Sequence, residues 1–251
     1  MTLDELSRQL QEVHGADLAA IVLYGSAASG EELGSLSDIN VLVLAANLNA
    51  GRMRKLGQTM RAWQEAGNPP VVSITTGEWL GSADVFPMEY ADILERHRVL
   101  YGKLPLSNVA VKRADLRLQL EREAMSTVLR LRRAAMLAGT NASSQRELMT
   151  RSFSTLMVLF RAVLRLQGLV PPRDAGQVID AVAGSCNFDP AVFHKVLLLR
   201  RGGGGGGGKT GDRELTSILD DYLNTTGSLV QHLDAFHTGN LPPDITIGDS
   251  R

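Results

Sequence analysis

Two short apolar runs fix what the first part of this chain can become. Ala19 to Tyr24 and Asn40 to Leu44 are too short for helices and too apolar for loops, so both read as buried strands. The first run stops at Gly25-Ser26, a polar stretch follows, and Asp38 opens the second. Residues 2–14 precede them with Leu3, Leu6, Leu10 and Val13 at helical spacing, and Thr2 or Asp4 is placed to cap that helix.

The same texture continues to about residue 102. Residues 49–66 carry Met53, Leu56, Met60 and Trp63 at helical spacing. Pro69-Pro70 ends that element, and Val71 to Ile74 reads as a third strand. Thr75 or Thr76 can cap a short helix through Glu78, Trp79 and Leu80. Pro87 to Ile93 reads as a fourth strand, and the region closes at Leu100-Tyr101-Gly102. After Pro105 only helical periodicity remains, over 113–138, 144–168, 174–184, 189–201 and 212–236, which is the pattern of a helical bundle. The expected divisions are a mixed domain over 1–106, a bundle over 107–237 with a flexible glycine linker at 202–208, and a loose tail over 238–251.

Composition excludes several classes. A net charge of −1 gives no dedicated nucleic-acid surface. A single cysteine, Cys186, rules out an internal disulfide framework and fits a reducing cytoplasm. The acidic, amphipathic start does not read as a signal peptide, and no apolar run approaches the ~20 residues needed to cross a bilayer.

The chemistry concentrates around the two strands. Side chains alternate along a strand, so Asp38 and Asn40 share a face, and oxygen ligands at i and i+2 suit Mg²⁺. Gly25 lets a phosphate approach the backbone, and the Ser26 hydroxyl with nearby N–H groups can donate to its oxygens. Gly25-Ser26 followed by Asp38-Ile39-Asn40 resembles the signature of the DNA-polymerase-β-like nucleotidyltransferase superfamily, in which Gly-Ser precedes Asp-x-Asp or Asp-x-Glu. The helical second half resembles the bundle that follows the catalytic domain in kanamycin and streptomycin nucleotidyltransferases.

The resemblance implies an α+β fold with a short mixed sheet, followed by an all-α bundle. It further implies binding of ATP or another NTP with Mg²⁺, and transfer of a nucleotidyl group to a hydroxyl acceptor with release of pyrophosphate. Gly25 and Ser26 would hold the triphosphate, and Asp38, Asn40 and a third acid would hold metal. The Val71–Ile74 strand has no acid; Glu89 is the first choice for the third ligand and Asp92 the second, and Asp38 and Glu89 would be the catalytic carboxylates. Asn40 stands where the family has an acid. It is neutral and cannot bridge two cations, so two readings stay open: an enzyme, or a nucleotide-binding or protein-interaction module without turnover.

Other features carry less. Gly202–Gly208 with Lys209-Thr210 satisfies a P-loop expression, but the preceding residues have helical rather than strand spacing, so the run reads as a link between helices. His97, His194, His232 and His237 read as surface residues, and Trp63 and Trp79 as core. Lys112, Arg113, Arg117, Arg122, Arg130, Arg132 and Arg133 make one helix basic, a solvated face or one that meets phosphates. The apolar stripe of 153–164 reads as bundle core or as part of a homodimer face.

Overall fold

The computed structural model describes residues 1–29, 39–201, 211–234 and 242–246. The chain divides into two compact units, Met1–Lys112 with Asp244–Arg251, and Arg113–Pro243.

The first unit is built on a four-stranded mixed sheet of order β3-β2-β1-β4, with β1 at Leu18–Tyr24, β2 at Asn40–Ala45, β3 at Val72–Thr75 and β4 at His97–Gly102. Strand β1 runs antiparallel to both β2 and β4, whereas β2 and β3 are parallel. The register sets Tyr24, the last residue of β1, opposite Asn40 on one side and His97 on the other. Helix α1, Leu3–His14, starts at a capping box in which Thr2 and Glu5 satisfy each other's backbone N–H groups. Its Leu6 and Leu10 join Ile21, Leu23, Val41, Val43 and Trp63 in one buried cluster. Ala20, Val22, Leu42 and Leu44, on the alternate face, are buried too. A sheet covered on both faces explains why these strands read as continuous apolar runs.

Two expectations for this unit are corrected. The helix over 49–66 is two helices, α2 at Ala50–Lys55 and α3 at Gly57–Glu65, which meet at Leu56. More consequentially, Pro87–Ile93 is no strand. After α4, Thr76–Gly81, capped by a Thr75–Glu78 box, the chain forms helix α5 over Pro87–Glu95. Pro87 occupies the first helical turn, where its fixed φ is favourable and its missing N–H costs nothing. Pro87, Tyr90, Ala91 and Leu94 are buried at i, i+3, i+4 and i+7, the stripe of an amphipathic helix. Tyr90 stacks on Trp79 at 4.3 Å between ring centroids and donates its hydroxyl to the Trp79 carbonyl at 2.7 Å, which fixes α5 against α4.

The second unit contains α6 (Arg113–Ala138), α7 (Ala142–Leu166), α8 (Ala175–Cys186), α9 (Ala191–Arg200) and α10 (Asp212–Asp234). Phe153, Leu156, Leu159, Phe160, Val163 and Leu164 of α7 are all buried, so that stripe is core rather than an outer face. The Phe160 and Phe193 rings meet edge to face at 4.9 Å, and Tyr222 reaches Ser152 through a 2.9 Å hydroxyl contact. The glycine linker at 202–208 lies outside the described residues. Within the segment expected to be a loose tail, Ile245 exchanges two backbone hydrogen bonds with Val111. No described helix is long and apolar enough to cross a membrane.

Candidate functional site

Several polar groups converge where β1 ends. Gly25 takes a φ of 76°, a left-handed conformation that an L side chain resists, and thereby turns the chain out of the sheet. Ser26 opens the single 3-10 turn that follows, Ser26–Ser29. The Gly25 N–H donates to the Arg96 carbonyl at 3.3 Å, and the Arg96 N–H donates to the Asp92 carbonyl at 2.8 Å. The glycine turn and the last turn of α5 are therefore one hydrogen-bonded unit. His97 strengthens it, since its Nδ1 donates to the Ile93 carbonyl at 2.7 Å. That bond leaves Nε2 as the acceptor of the neutral ring.

This arrangement brings Asp92 and Asn40 to the same glycine. A Cβ placed on Gly25 would stand 3.2 Å from Asn40 Nδ2 and 3.4 Å from Asp92 Oδ2. The absence of a side chain is what allows the two polar groups to close over this turn. Asp92 is half-buried, whereas Glu89, one helical turn earlier, is exposed. On a strand the two acids would face opposite ways; at i and i+3 on a helix they share a face. Asp92 Oδ2 comes near the turn, and Glu89, the first choice of the sequence reading, is exposed on the same helix face. Asp38 lies outside the described residues, and for Ser26 only the backbone is described.

The electrostatics register the same cluster. The Tyr24 phenol is pushed up to about 12, first by burial and then by the negative charges of Glu89 and Asp92. Both carboxylates therefore act on the end of β1. Beside them Glu95 and Arg96 form a 2.6 Å ion pair, with both side chains largely buried. Tyr24 and His97 escaped the sequence reading as members of this cluster, because strand register, which places them either side of one another, is not written in either segment alone.

Among the described residues no three His, Cys, Asp or Glu side chains are grouped as a metal site. At the Gly25 turn Asp92 presents a carboxylate oxygen, a hard donor of the kind Mg²⁺ prefers, whereas Asn40 turns its amide nitrogen Nδ2 toward the same point and would have to present its carbonyl oxygen to join a cation site.

Comparison with known proteins agrees with this architecture. The solved structures include spectinomycin adenyltransferase AAD(9) from Enterococcus faecialis, crystallised with ATP and spectinomycin, which matches with a TM-score of 0.57 over 89% of this chain and 97% of that one. The chain has a nucleotidyltransferase fold. At 14% sequence identity the likeness is one of fold. No family model matches the sequence, and no curated protein matches it. On the nucleotidyltransferase fold, the cluster described above lies at the end of β1 where the Gly25 turn, Asn40 and Asp92 meet.

Proposed function

We propose that this protein binds a nucleoside triphosphate with Mg²⁺ at the Gly25 end of the sheet and transfers its nucleotidyl group to a hydroxyl acceptor. The acceptor oxygen attacks the α-phosphorus, and the bond to the bridging oxygen breaks to release pyrophosphate; with ATP the group transferred is AMP. The observation that carries the reading is the closure of Asn40 and Asp92 over a glycine held at positive φ, on a nucleotidyltransferase fold.

Each residue has a role that follows from its chemistry. Gly25 admits a phosphate to within contact of the backbone, where the turn at 26–29 follows. Asp92 and Asp38 are the carboxylates assigned to metal, and Asn40 adds a neutral carbonyl oxygen. When bound, Mg²⁺ neutralises triphosphate charge and stabilises the leaving pyrophosphate. Glu89, exposed on the same face of α5 as Asp92, is assigned as the base that takes the acceptor's hydroxyl proton. Tyr24, raised by burial and these two acids, stays protonated and keeps its O–H as a donor at the sheet end.

A second reading rests on Asn40. The residue opposite Tyr24 is an amide rather than an acid, so the cluster holds one negative charge fewer than two bridged cations would require. On that reading the protein binds Mg·nucleotide without turning it over. Calorimetry with ATP and GTP, with and without Mg²⁺, followed by a pyrophosphate-release assay across hydroxyl acceptors, separates the two. Mg-dependent binding with pyrophosphate release supports transfer; binding without release supports the second reading. No binding by either nucleotide overturns both.

A further inference from the structure

His97, which read from the sequence as a surface residue, is half-buried at the first position of β4. Where its ring bonds is what makes it informative. The last helical hydrogen bond of α5 runs from the Arg96 N–H to the Asp92 carbonyl at 2.8 Å. The four carbonyls beyond it, from Ile93 to Arg96, have no donor within the helix. Two of them are served from the sheet. The His97 ring donates Nδ1–H to the Ile93 carbonyl at 2.7 Å, and the Gly25 N–H donates to the Arg96 carbonyl at 3.3 Å. A carbonyl only accepts, so the bond itself requires the proton to sit on Nδ1.

The bonds made by Arg96 and His97 hold successive peptide planes directly after the Asp92 Cα. A shift of the α5 end relative to β4 therefore has to stretch or break the His97 bond. The His97 backbone is anchored in turn, because β4 pairs with β1 and sets His97 opposite Tyr24, the residue immediately before Gly25. Facing residues of an antiparallel pair project from one side of the sheet, so the His97 ring shares the face of Tyr24 and there meets α5. A short closed path thus runs from the Gly25 turn through β4 and the His97 ring to the helix end that carries Asp92. That carboxylate places its Oδ2 3.4 Å from where a Gly25 Cβ would stand.

We propose that His97 is a positioning residue, whose Nδ1–H bond to the Ile93 carbonyl holds the Asp92 carboxylate at the Gly25 turn and so sets the affinity for Mg·nucleotide. The role rests on the assignment of Asp92 to metal in the proposed function. His97 itself touches neither the nucleotide nor the cation. Two other roles make different demands. A residue that only staples the fold changes stability and leaves Mg²⁺ dependence alone. A residue that contacts the nucleotide acts whether or not the Asp92 carboxylate is present.

A double-mutant cycle in the full-length protein separates them, read by calorimetry as the Mg²⁺ concentration that half-saturates ATP binding. His97→Ala should raise that midpoint about tenfold, the usual scale for losing a group that orients a metal ligand. His97→Asn, whose Nδ2 can stand near the place of Nδ1, should keep the midpoint within about threefold. His97→Gln carries its amide one methylene too far and should behave as alanine does, and the comparison of Asn with Gln decides the matter if His97→Ala unfolds. With Asp92→Asn already in place, the same substitutions should move the midpoint less than about twofold. Amide exchange in the nucleotide-free protein gives a readout without ligand: the Arg96 amide should exchange about tenfold faster in His97→Gln than in His97→Asn. Unchanged midpoints in His97→Ala and His97→Gln, while Asp92→Asn raises its own, overturn the positioning role and leave the nucleotide reading standing. Equal effects of His97→Ala with and without the Asp92 carboxylate overturn it as well, as does Arg96 exchange indifferent to residue 97. A midpoint that Asp92→Asn does not move removes the metal assignment, and the role of His97 falls with it.

Discussion

Replacing Gly25 by alanine tests the geometry of the candidate site at a single atom. Two costs enter. An L residue held near φ 76° pays about 1–2 kcal/mol for the left-handed conformation. The new Cβ would then stand 3.2 Å from Asn40 Nδ2, which must give way by a few tenths of an ångström, and 3.4 Å from Asp92 Oδ2, at ordinary contact. Asn40 can swing aside, which keeps the packing cost small but moves one of the groups assigned to the nucleotide and its metal and places a methyl against the other. Two other glycines supply the controls. Gly67 has a φ of 87° with nothing within 4 Å of its added Cβ, so Gly67→Ala isolates the backbone term. Gly102, at φ 69°, would drive its Cβ into the Ala19 carbonyl, a backbone atom of the neighbouring strand. Gly102→Ala therefore adds overpacking of about 1–3 kcal/mol to the conformational cost. Urea denaturation followed by tryptophan fluorescence reads this unit selectively, because Trp63 and Trp79 are both buried in it. Stability should fall least in Gly67→Ala, slightly more in Gly25→Ala and most in Gly102→Ala. Mg·ATP affinity should fall at least tenfold, about 1.4 kcal/mol, in Gly25→Ala alone of the first two. If Gly25→Ala binds Mg·ATP as the wild type does, the nucleotide does not approach this turn and the site assignment is wrong.

Three further perturbations address the charges. Asn40→Asp places a second carboxylate beside Asp92, so the melting temperature should drop without Mg²⁺ and recover with it, and pyrophosphate release should rise; a variant indifferent to Mg²⁺ in a thermal melt argues against a cation there. Asp92→Asn should weaken Mg·ATP binding about tenfold or more, whereas Glu89→Gln should spare binding and lower turnover, a split that calorimetry and pyrophosphate assays resolve. His14 is 2% exposed, with neither ring nitrogen hydrogen-bonded, and burial followed by the nearby Arg52 charge holds its pKa below the usual value of 6.5. Its folded state binds fewer protons than its unfolded state, so the stability it leaves intact above 6.5 is lost as pH falls below it; His14→Leu should flatten urea midpoints measured between pH 7.5 and 5.5 relative to the wild type.

The parts of the fold legible in the sequence were those set by local chemistry. Thr2 or Asp4, and Thr75 or Thr76, are placed to cap their helices; Thr2 and Thr75 do so, each closing a capping box with the Glu three residues on. Strands β1 and β2 show as apolar runs because both faces of the sheet are covered. Helix α5 was misread for a physical reason. Met88-Glu89-Tyr90-Ala91-Asp92-Ile93 alternates well enough to pass for a short strand, and a segment this brief holds barely two helical turns. Pro87 at the first helical position and burial at 87, 90, 91 and 94 carry the deciding signal. The approach of Asp92 to Gly25 could not be read at all, since it depends on the Gly25–Arg96 hydrogen bond across the sheet.

That misreading bears directly on what the missing acids mean. With Pro87–Ile93 as a strand, the absence of an acid on Val72–Thr75 and the amide at Asn40 leave the sheet two carboxylates short, and Glu89 and Asp92 cannot serve together. With the segment as a helix, both acids lie on one face and both raise the Tyr24 phenol, so the charge that the sheet lacks is present on a neighbouring element. The hydrogen bonds from Gly25 to Arg96 and from Arg96 to Asp92 then couple the glycine turn to the helix end that carries Asp92. Under this arrangement the weight of the enzymatic question moves from Asn40 toward α5. On the proposed function, a metal held mainly by Asp38 and Asp92 would ask only a neutral oxygen of residue 40, which the Asn40 amide supplies once its oxygen rather than Nδ2 faces the turn.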